Sequence, residues 1–406
     1  MKWDKYISTK PGVSGFSFAN LGLFTGFGDG IRGAVNSLIL LGILGGSAAL
    51  VGVYSSAYYA FGLMVQLAVG ESMRLFSKAK IFYVSMLAVV VCYFMMSFSI
   101  RPMTFVALDL FVLVPLVFIG TLIPLFMADF AGKDGVGGMY GRYYFWLNVG
   151  ALCSPMIAMA IADRFGERAS FFAAAVMYLV AFLMFKRYKI VAEEKAPGKI
   201  SPRRTVRSIM RGIRVYFRRA DFARAYVVNV GYYAMNSLRG LYFPILVMED
   251  KFGVETLGLV LTLGVIPYVI LSNPVGRLAR KYGQRMTNAL MAVGTAAFAA
   301  LSFALFFAEG RAMLALYVLT HIANALREPI HDLMFFNVAN KSEQRRFYGV
   351  FNTSTNLTKF VIPLIGAAFI FVSGATRFMW LAVGLFGIIS TFLLLSGSKP
   401  ATIRAK

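Results

Sequence analysis

The amino-acid sequence predicts an all-α membrane protein with twelve transmembrane helices, arranged as two pseudo-symmetric six-helix bundles. Three observations lead to this prediction: an apolar composition, apolar segments of membrane-spanning length, and an internal repeat. Of the 406 residues, 59% are hydrophobic and only 15% are charged, whereas about a quarter of the residues of a soluble domain are charged. The composition is therefore that of a chain largely surrounded by lipid.

Twelve apolar segments follow one another along the chain. A bilayer core about 30 Å thick is spanned by about 20 helical residues. The predicted spans are residues 16–42, 48–70, 79–99, 103–128, 141–164, 169–187, 223–248, 255–277, 284–307, 311–338, 347–372 and 376–396. A β-barrel would instead require short strands that alternate apolar and polar side chains. The first span is longer than the apolar core of a signal peptide, so we expect it to stay in the mature protein.

The basic residues fall on alternate breaks between these spans. Of 41 lysines and arginines, 31 lie in the breaks that would face one side and only six lie in the opposite breaks, namely Arg101, Arg164, Arg168, Lys251, Arg311 and Arg377. Cytoplasmic loops carry the excess of basic residues in membrane proteins. The pattern therefore predicts a multi-pass protein of the cell (inner or plasma) membrane with both termini in the cytoplasm.

The longest break divides the chain into two halves. We predict an N-terminal bundle over residues 1–187, a basic cytoplasmic linker over residues 188–222 and a C-terminal bundle over residues 223–406. Ser201 and Pro202 could begin a helix in this linker, in which apolar residues recur among seven arginines. Such a helix would lie on the inner leaflet and contact anionic lipid headgroups. Binding of nucleic acid is the disfavoured alternative.

Matching residues recur at a nearly constant spacing. Arg32-Gly33 recurs as Arg239-Gly240 at an offset of 207, and Gly70 and Arg74 recur as Gly276 and Arg280 at an offset of 206. Three further matches, at an offset of 208, pair Tyr140-Gly141, Asn148 and Pro155 with Tyr348-Gly349, Asn356 and Pro363. One duplicated six-helix unit accounts for the spacing, and transporters built in this way hold their substrate near the membrane midplane between the two units.

The break between the predicted eighth and ninth helices resembles the signature loop of the major facilitator superfamily, G-x-L-x-D-R-x-G-R-R. The matching positions include Gly276, Lys281, Gly283 and Arg285, and a weaker copy with Gly70 and Arg74 follows the second helix. Both copies carry a basic residue, Arg74 or Arg280, where the family has an acidic one. The resemblance implies the twelve-helix fold and a gating role for these loops.

Four basic residues lie within the predicted spans, where charge is costly and typical of functional sites. Arg32 and Arg239 each occupy the seventeenth position of a span, on helices related by the repeat. They resemble the phosphate-binding pair of organophosphate antiporters in the same superfamily, which implies an anionic substrate held by this pair together with Lys359 or Arg327. Alternatively, Asp29 neutralises Arg32, and Glu328 or Asp332 neutralises the others, in buried ion pairs that only fix helix packing.

Other polar residues in the spans are candidates for substrate contact or proton coupling. Asn148 and Asn356 each precede a proline by seven residues, and they either bond the carbonyls that the proline frees or contact substrate. Proton coupling requires a group that can gain and lose a proton as its partners change. The candidates for this role are Asp29, Glu328, His331 and Asp332.

These observations predict a secondary transporter, and not an enzyme, for a small organic solute that is anionic or amphiphilic. The sequence has no P-loop and no metal-ligand motif, so we expect no cofactor and no metal, and transport driven by protons or by a second solute. We expect a monomer, with efflux slightly favoured over uptake. The alternatives are a lipid flippase of the same fold and a receptor or scaffold that does not transport.

Overall fold

A computed structural model of the chain describes residues 15–130, 135–187 and 202–396. Its α-helices are α1 (Gly15–Ile43), α2 (Ala48–Leu75), α3 (Lys78–Ser97), α4 (Pro102–Phe130), α5 (Gly135–Phe165), α6 (Ser170–Arg187), α7 (Pro202–Phe217), α8 (Ala220–Glu249), α9 (Val254–Phe307), α10 (Gly310–Ala325), α11 (Leu333–Phe336), α12 (Lys341–Ser373) and α13 (Met379–Ser396). The predicted cytoplasmic termini and the start of the linker, including Ser201, lie outside the described residues.

Twelve helical segments cross the bundle in the described part of the chain, as predicted. Eight are both long and apolar enough to span a membrane by themselves: Ala48–Val69, Lys78–Ser97, Pro102–Met127, Met139–Phe165, Glu167–Arg187, Val254–Ala279, Lys281–Phe307 and Phe347–Ser373. The other four segments are α1, α8, α10 and α13. The fold class predicted from the sequence is therefore confirmed.

Two spans differ from their predicted form. The eighth and ninth spans form the single element α9, which bends at Gly283 with a φ of 65°, a conformation that glycine adopts at little cost. The tenth predicted span, residues 311–338, is wrong beyond Ala325, because α10 ends there and turns lead to the four-residue α11. Pro329 lies in these turns and has no N–H with which to continue a helix.

The contacts between helices repeat in the two halves. In the first half α1 packs on α5 and α6, and α3 packs on α4 and α6; in the second half α8 packs on α12 and α13, and α9 packs on α10 and α13. Between the halves, α5 lies along α9 and α2 lies along α12. Because α2 and α9, like α5 and α12, are counterparts in the repeat, this interface is itself pseudo-symmetric.

Polar contacts join breaks that the charge pattern places on one side. Arg168 donates to the carbonyl of Ile100 at 2.7 Å, and Arg377 pairs with Glu309 at 2.8 Å, so predicted external breaks meet. On the opposite side Arg219 pairs with Glu343 at 2.5 Å. The alternation of the breaks is thus present in the fold, and the assignment of one side to the cytoplasm remains a prediction.

The predicted linker contains α7, which lies on the second half of the chain. Tyr216 is fully buried and packs against Phe335 and Phe347, with ring centroids 6.4 and 6.1 Å away. Met210 and Phe217 are 61% and 44% exposed, and the exposed Arg211, Arg214 and Arg218 lie close to them on the helix. This outward face suits the predicted contact with anionic lipid, which stays a prediction.

Candidate functional site

Two adjoining cavities occupy the polar centre between the halves. Cavity 1 has a volume of about 470 Å³ and cavity 2 a volume of about 420 Å³. We call the side of the bundle on which α7 lies the α7 face. Gln66 and Asn352 line cavity 2 toward this face, whereas Leu40 and Pro363 line cavity 1 toward the opposite face. Six residues line both cavities: Arg32, Gly33, Tyr58, Tyr59, Tyr233 and Lys359.

The structure brings most of the predicted site residues to these walls. Arg32, Arg239, Lys359, Asn148 and Glu328 line cavity 1, and Asp29 and Asn356 line cavity 2. Arg327, His331 and Asp332 line neither cavity and are almost completely buried. The assignment of substrate and proton roles to any of these residues stays a prediction.

Arg32 is paired with a carboxylate other than the expected one. Its Nη2 lies 2.9 Å from Oδ1 of Asp109 on α4 and donates to the Tyr58 hydroxyl at 2.8 Å. Tyr54 donates to the second oxygen of Asp109 at 2.9 Å. Asp29, the sequence-based choice, instead accepts a hydrogen bond from Tyr178 at 2.6 Å. Arg32 is therefore paired with Asp109 on another helix, and not with Asp29, which the spacing along α1 suggested.

Arg239 and Arg327 have no carboxylate within 4.0 Å among the described residues. Arg239 donates to the Tyr268 hydroxyl at 3.1 Å, and Arg327 donates to the amide oxygen of Asn324 and to Thr295. Both guanidinium groups lie over the ring of Phe298, at 5.7 and 5.1 Å. The expected ion pairs of Arg239 and Arg327 with Glu328 or Asp332 are not present in the described contacts. Two positive charges therefore lie near the same aromatic ring.

Lys359 lies between aromatic rings that belong to different halves. Its ammonium group is 5.0 Å from the ring of Tyr59 on α2 and 5.5 Å from the ring of Tyr233 on α8. No carboxylate lies within 4.0 Å of it in the described part of the chain. The faces of aromatic rings attract cations weakly, so Lys359 remains available to an anion from either cavity.

The turns after α10 direct Glu328 into cavity 1 and His331 and Asp332 away from it. Glu328 accepts a hydrogen bond at 2.6 Å from Asn148 of α5, which links the two halves. His331 stacks on Tyr232 at 4.2 Å, and Asp332 lies 3.6 Å from its Nε2. The break at Pro329 thus separates Glu328 from His331 and Asp332, which a continuous helix would hold on one face with it.

Neither predicted asparagine bonds the carbonyls freed by a proline in the contacts seen here. Asn148 donates to Glu328 and, at 3.4 Å, to Ser272 of α9. Asn356 donates to Gln66 of α2 at 3.4 Å. Both amide groups therefore reach across to the other half of the chain at the cavity walls, which is the geometry of the second alternative.

The halves also meet between the cavities and the α7 face. Tyr140 packs against Phe336 at 5.5 Å, and Tyr144 donates to Asp332 at 3.5 Å. Asn352 donates to Thr121 at 3.2 Å. These contacts join α5 to the segment after α10, and α12 to α4.

The signature loop contacts the segment that follows α10. Gly283 forms the bend, Lys281 lies over the ring of Tyr282 at 5.1 Å, and Arg285 is exposed. Gln284 accepts a hydrogen bond from Asn337 at 3.0 Å, next to α11. Gly276 is buried in α9. The burial of Gly70 and the side chains of Arg74 and Arg280 lie outside what the structure describes. The gating role of both loops stays a prediction.

Several residues of the cavity walls were not predicted from the sequence. They are Asp109, which is the partner of Arg32, and Tyr54, Tyr268 and Gln66. Gln66 carried a usable signal, because it is an uncharged polar residue in an otherwise apolar stretch of α2. The two tyrosines carried no such signal, since tyrosine is abundant in this chain.

Two repeat-related bundles that enclose a polar centre are the architecture of secondary transporters. The sequence profile of the Major Facilitator Superfamily matches the chain twice, over residues 18–242 and 225–406. The chain therefore belongs to the Major Facilitator Superfamily, and the protein is a multi-pass membrane transporter for a small molecule rather than an enzyme.

Two solved structures with the same fold are distant in sequence. The crystal structure of the human organic anion transporter MFSD10 (TETRAN) matches with a TM-score of 0.74 and 14% identity, covering 94% of this chain and 98% of that one. A POT family transporter in complex with a thioalcohol-conjugated peptide matches with a TM-score of 0.76 and 11% identity, covering 94% and 95%. A comparison with curated protein sequences gives no match.

Proposed function

We propose that this transporter carries a small organic anion by alternating access, and that Arg239 and Lys359 bind its acidic group. The observation that carries the proposal is that both cations line cavity 1 and neither has a carboxylate within 4.0 Å in the described residues. An unpaired charge in a desolvated site is costly, and an anion would offset that cost. The planar guanidinium of Arg239 suits a carboxylate or a phosphate.

Arg32 has a different role in this proposal. Its charge is already balanced by Asp109 at 2.9 Å, so it fixes the wall of both cavities and leaves the acidic group of the substrate to the second half. The anion site is therefore built mainly on α8 and α12, and not as a symmetric pair of arginines from α1 and α8. One similar structure is that of an organic anion transporter, but at 14% identity it shares only the fold.

The test is transport of organic phosphates and carboxylates into proteoliposomes. We expect Arg239→Gln and Lys359→Gln each to weaken the apparent substrate affinity by about tenfold to a hundredfold, because a hydrogen bond to a charged group contributes about 1.5–3 kcal/mol. Arg311→Gln removes an exposed charge outside the cavities and is the matched control. Unchanged affinity in both cavity variants would remove the proposed site, and no flux of any solute with folded protein would favour the non-transporting alternative.

We also propose that Glu328 couples transport to protons. It lines cavity 1 and accepts from Asn148 across the two halves at 2.6 Å, so its protonation would alter both the charge of the site and a contact between the halves. We expect Glu328→Gln to flatten the pH dependence of transport in proteoliposomes. Asp332→Asn should retain the dependence, because Asp332 faces His331 and Tyr144 and lies outside both cavities. An unaltered pH profile in Glu328→Gln would exclude this role.

A further inference from the structure

Cavity 2 differs in chemistry from cavity 1. Among the described residues that line it, the one carboxylate is Asp29, which is exposed although it lies near the middle of α1. Around it the wall carries amide and hydroxyl groups, including Asn352, Thr355 and Asn356. Tyr178 donates to one oxygen of Asp29 at 2.6 Å. The second oxygen has no hydrogen bond in the described contacts and can accept one from a bound molecule.

Two protein cations face this carboxylate, and both have other contacts. Arg32 lines the cavity but is held by Asp109 at 2.9 Å. Lys359 lines both cavities and lies between the rings of Tyr59 and Tyr233. An anion that draws Lys359 toward cavity 1 leaves Asp29 facing only neutral groups and the paired Arg32. A carboxylate in that position favours a cationic partner.

We infer that cavity 2 is a subsite for an ammonium group, so that the transported solute is amphoteric, with an acidic group at Arg239 and Lys359 and an amine at Asp29. This inference rests on the proposed function, because it assigns the second end of the same substrate. Lys359 lines both cavities, and Asp29 lines cavity 2 with it, so the two proposed subsites adjoin each other. We therefore expect a solute with a chain of a few carbons between its two charges.

The test compares pairs of probes that differ only at one end. Propyl- to hexylphosphonate provide the acidic group alone, and the corresponding ω-aminoalkylphosphonates add a terminal ammonium. Binding to the purified full-length protein is measured by isothermal titration. We expect the best aminoalkylphosphonate to bind at least about tenfold more tightly than its partner without the amine, since a charge-assisted hydrogen bond is formed.

Asp29→Asn should abolish this preference and leave the affinity for the plain alkylphosphonate within about twofold. The asparagine keeps an oxygen that can accept from Tyr178, and thermal unfolding without ligand checks that the variant is folded. Asp29→Glu should retain the preference, and Asp163→Asn, which removes an exposed carboxylate outside both cavities, should not change it.

Equal binding of the paired probes to the wild-type protein, or a preference that persists in Asp29→Asn, would overturn the ammonium subsite. A different result concerns the proposed function itself. The anion site is wrong if neither series binds to the wild-type protein. It is also wrong if the double variant Arg239→Gln, Lys359→Gln binds both series as tightly as the wild-type protein does. The two failures are therefore separable in one set of titrations.

Discussion

At the scale of single residues, the charges of α1 show what spacing along one helix can predict. Asp29 and Arg32 lie three residues apart, and helical neighbours of this kind often pair. Arg32 instead pairs with Asp109, which is 77 positions away and 1% exposed. The sequence predicted that Arg32 lies deep in the membrane and that a carboxylate neutralises it. Which carboxylate does so, Asp29 or Asp109, depends on how α1 and α4 face each other.

The network around Asp109 predicts a loss of stability when its charge is removed. In Asp109→Asn, Arg32 keeps its position on the cavity walls but loses its counter-charge, and breaking a buried ion pair in this way costs up to about 3–5 kcal/mol. We expect a lower unfolding temperature in detergent, whereas the exposed Asp163→Asn should leave it unchanged. The double variant Arg32→Gln, Asp109→Asn should recover part of the loss. If the double variant is no more stable than Asp109→Asn, then the pair does not act as described.

At the scale of helices, close packing between α1 and α5 depends on glycines spaced four residues apart. Gly22, Gly26 and Gly30 form one stripe of α1. A Cβ at Gly26 would overlap the backbone carbonyl of Leu147, and one at Gly22 would lie 2.8 Å from the carbonyl oxygen of Tyr143. Small residues at this spacing let membrane helices approach closely. The sequence contained this signal, but only the structure shows which helix it contacts.

Gly26→Ala should therefore force α1 and α5 apart. We expect a destabilisation of about 1–3 kcal/mol or more, the range for adding a methyl group to a packed interior, and a smaller yield of monodisperse protein in size-exclusion chromatography. Gly42→Ala lies on the same helix, where a Cβ would have no atom within 4 Å, and should behave as wild type. Equal thermal stability of the two variants would contradict close packing at Gly26.

The breaks within helices were only partly predictable. Gly283 was placed in the signature loop, and it bends α9 with a φ of 65°. The tenth span was predicted over residues 311–338, but the helix ends at Ala325, four residues before Pro329. A proline excludes the hydrogen bond of its own nitrogen, and where the chain then leaves the helix depends on its neighbours. Here those neighbours include Asn148, Tyr144 and Tyr232, all distant in sequence.

At the scale of the whole molecule, the proposed alternating access requires α5 and α9 to separate at the face opposite α7. A Cβ at Gly258 would lie 3.2 Å from that of Met159, close to the spacing of about 3.5–4.5 Å in disulfides. In a variant with Cys92 and Cys153 replaced by serine, we expect Met159→Cys, Gly258→Cys to stop transport on oxidation and to recover on reduction. The two single-cysteine variants should be insensitive. Full transport by the cross-linked protein would contradict the mechanism.

The two-bundle architecture was predictable because it depends on quantities that accumulate along the chain, namely apolar length, basic residues per break and the repeat offset. The arrangement of the cavities was not predictable, because it depends on side chains that meet from several helices. The sequence showed that Arg239, Arg327 and Lys359 are charges within the membrane. Only the packing shows that, among the described residues, none of the three has a carboxylate within 4.0 Å.

The seating of α7 has a practical consequence for following the motion of this protein. Because Tyr216 lies among Phe222, Phe335 and Phe347 of the second half, a fluorophore fixed at the outward-facing Met210 would be carried along by that half. A second dye on the opposite end of α3, near Phe98, would be carried by the first half. Resonance energy transfer between the two dyes would then register each tilt of one half against the other, without any label inside the translocation path.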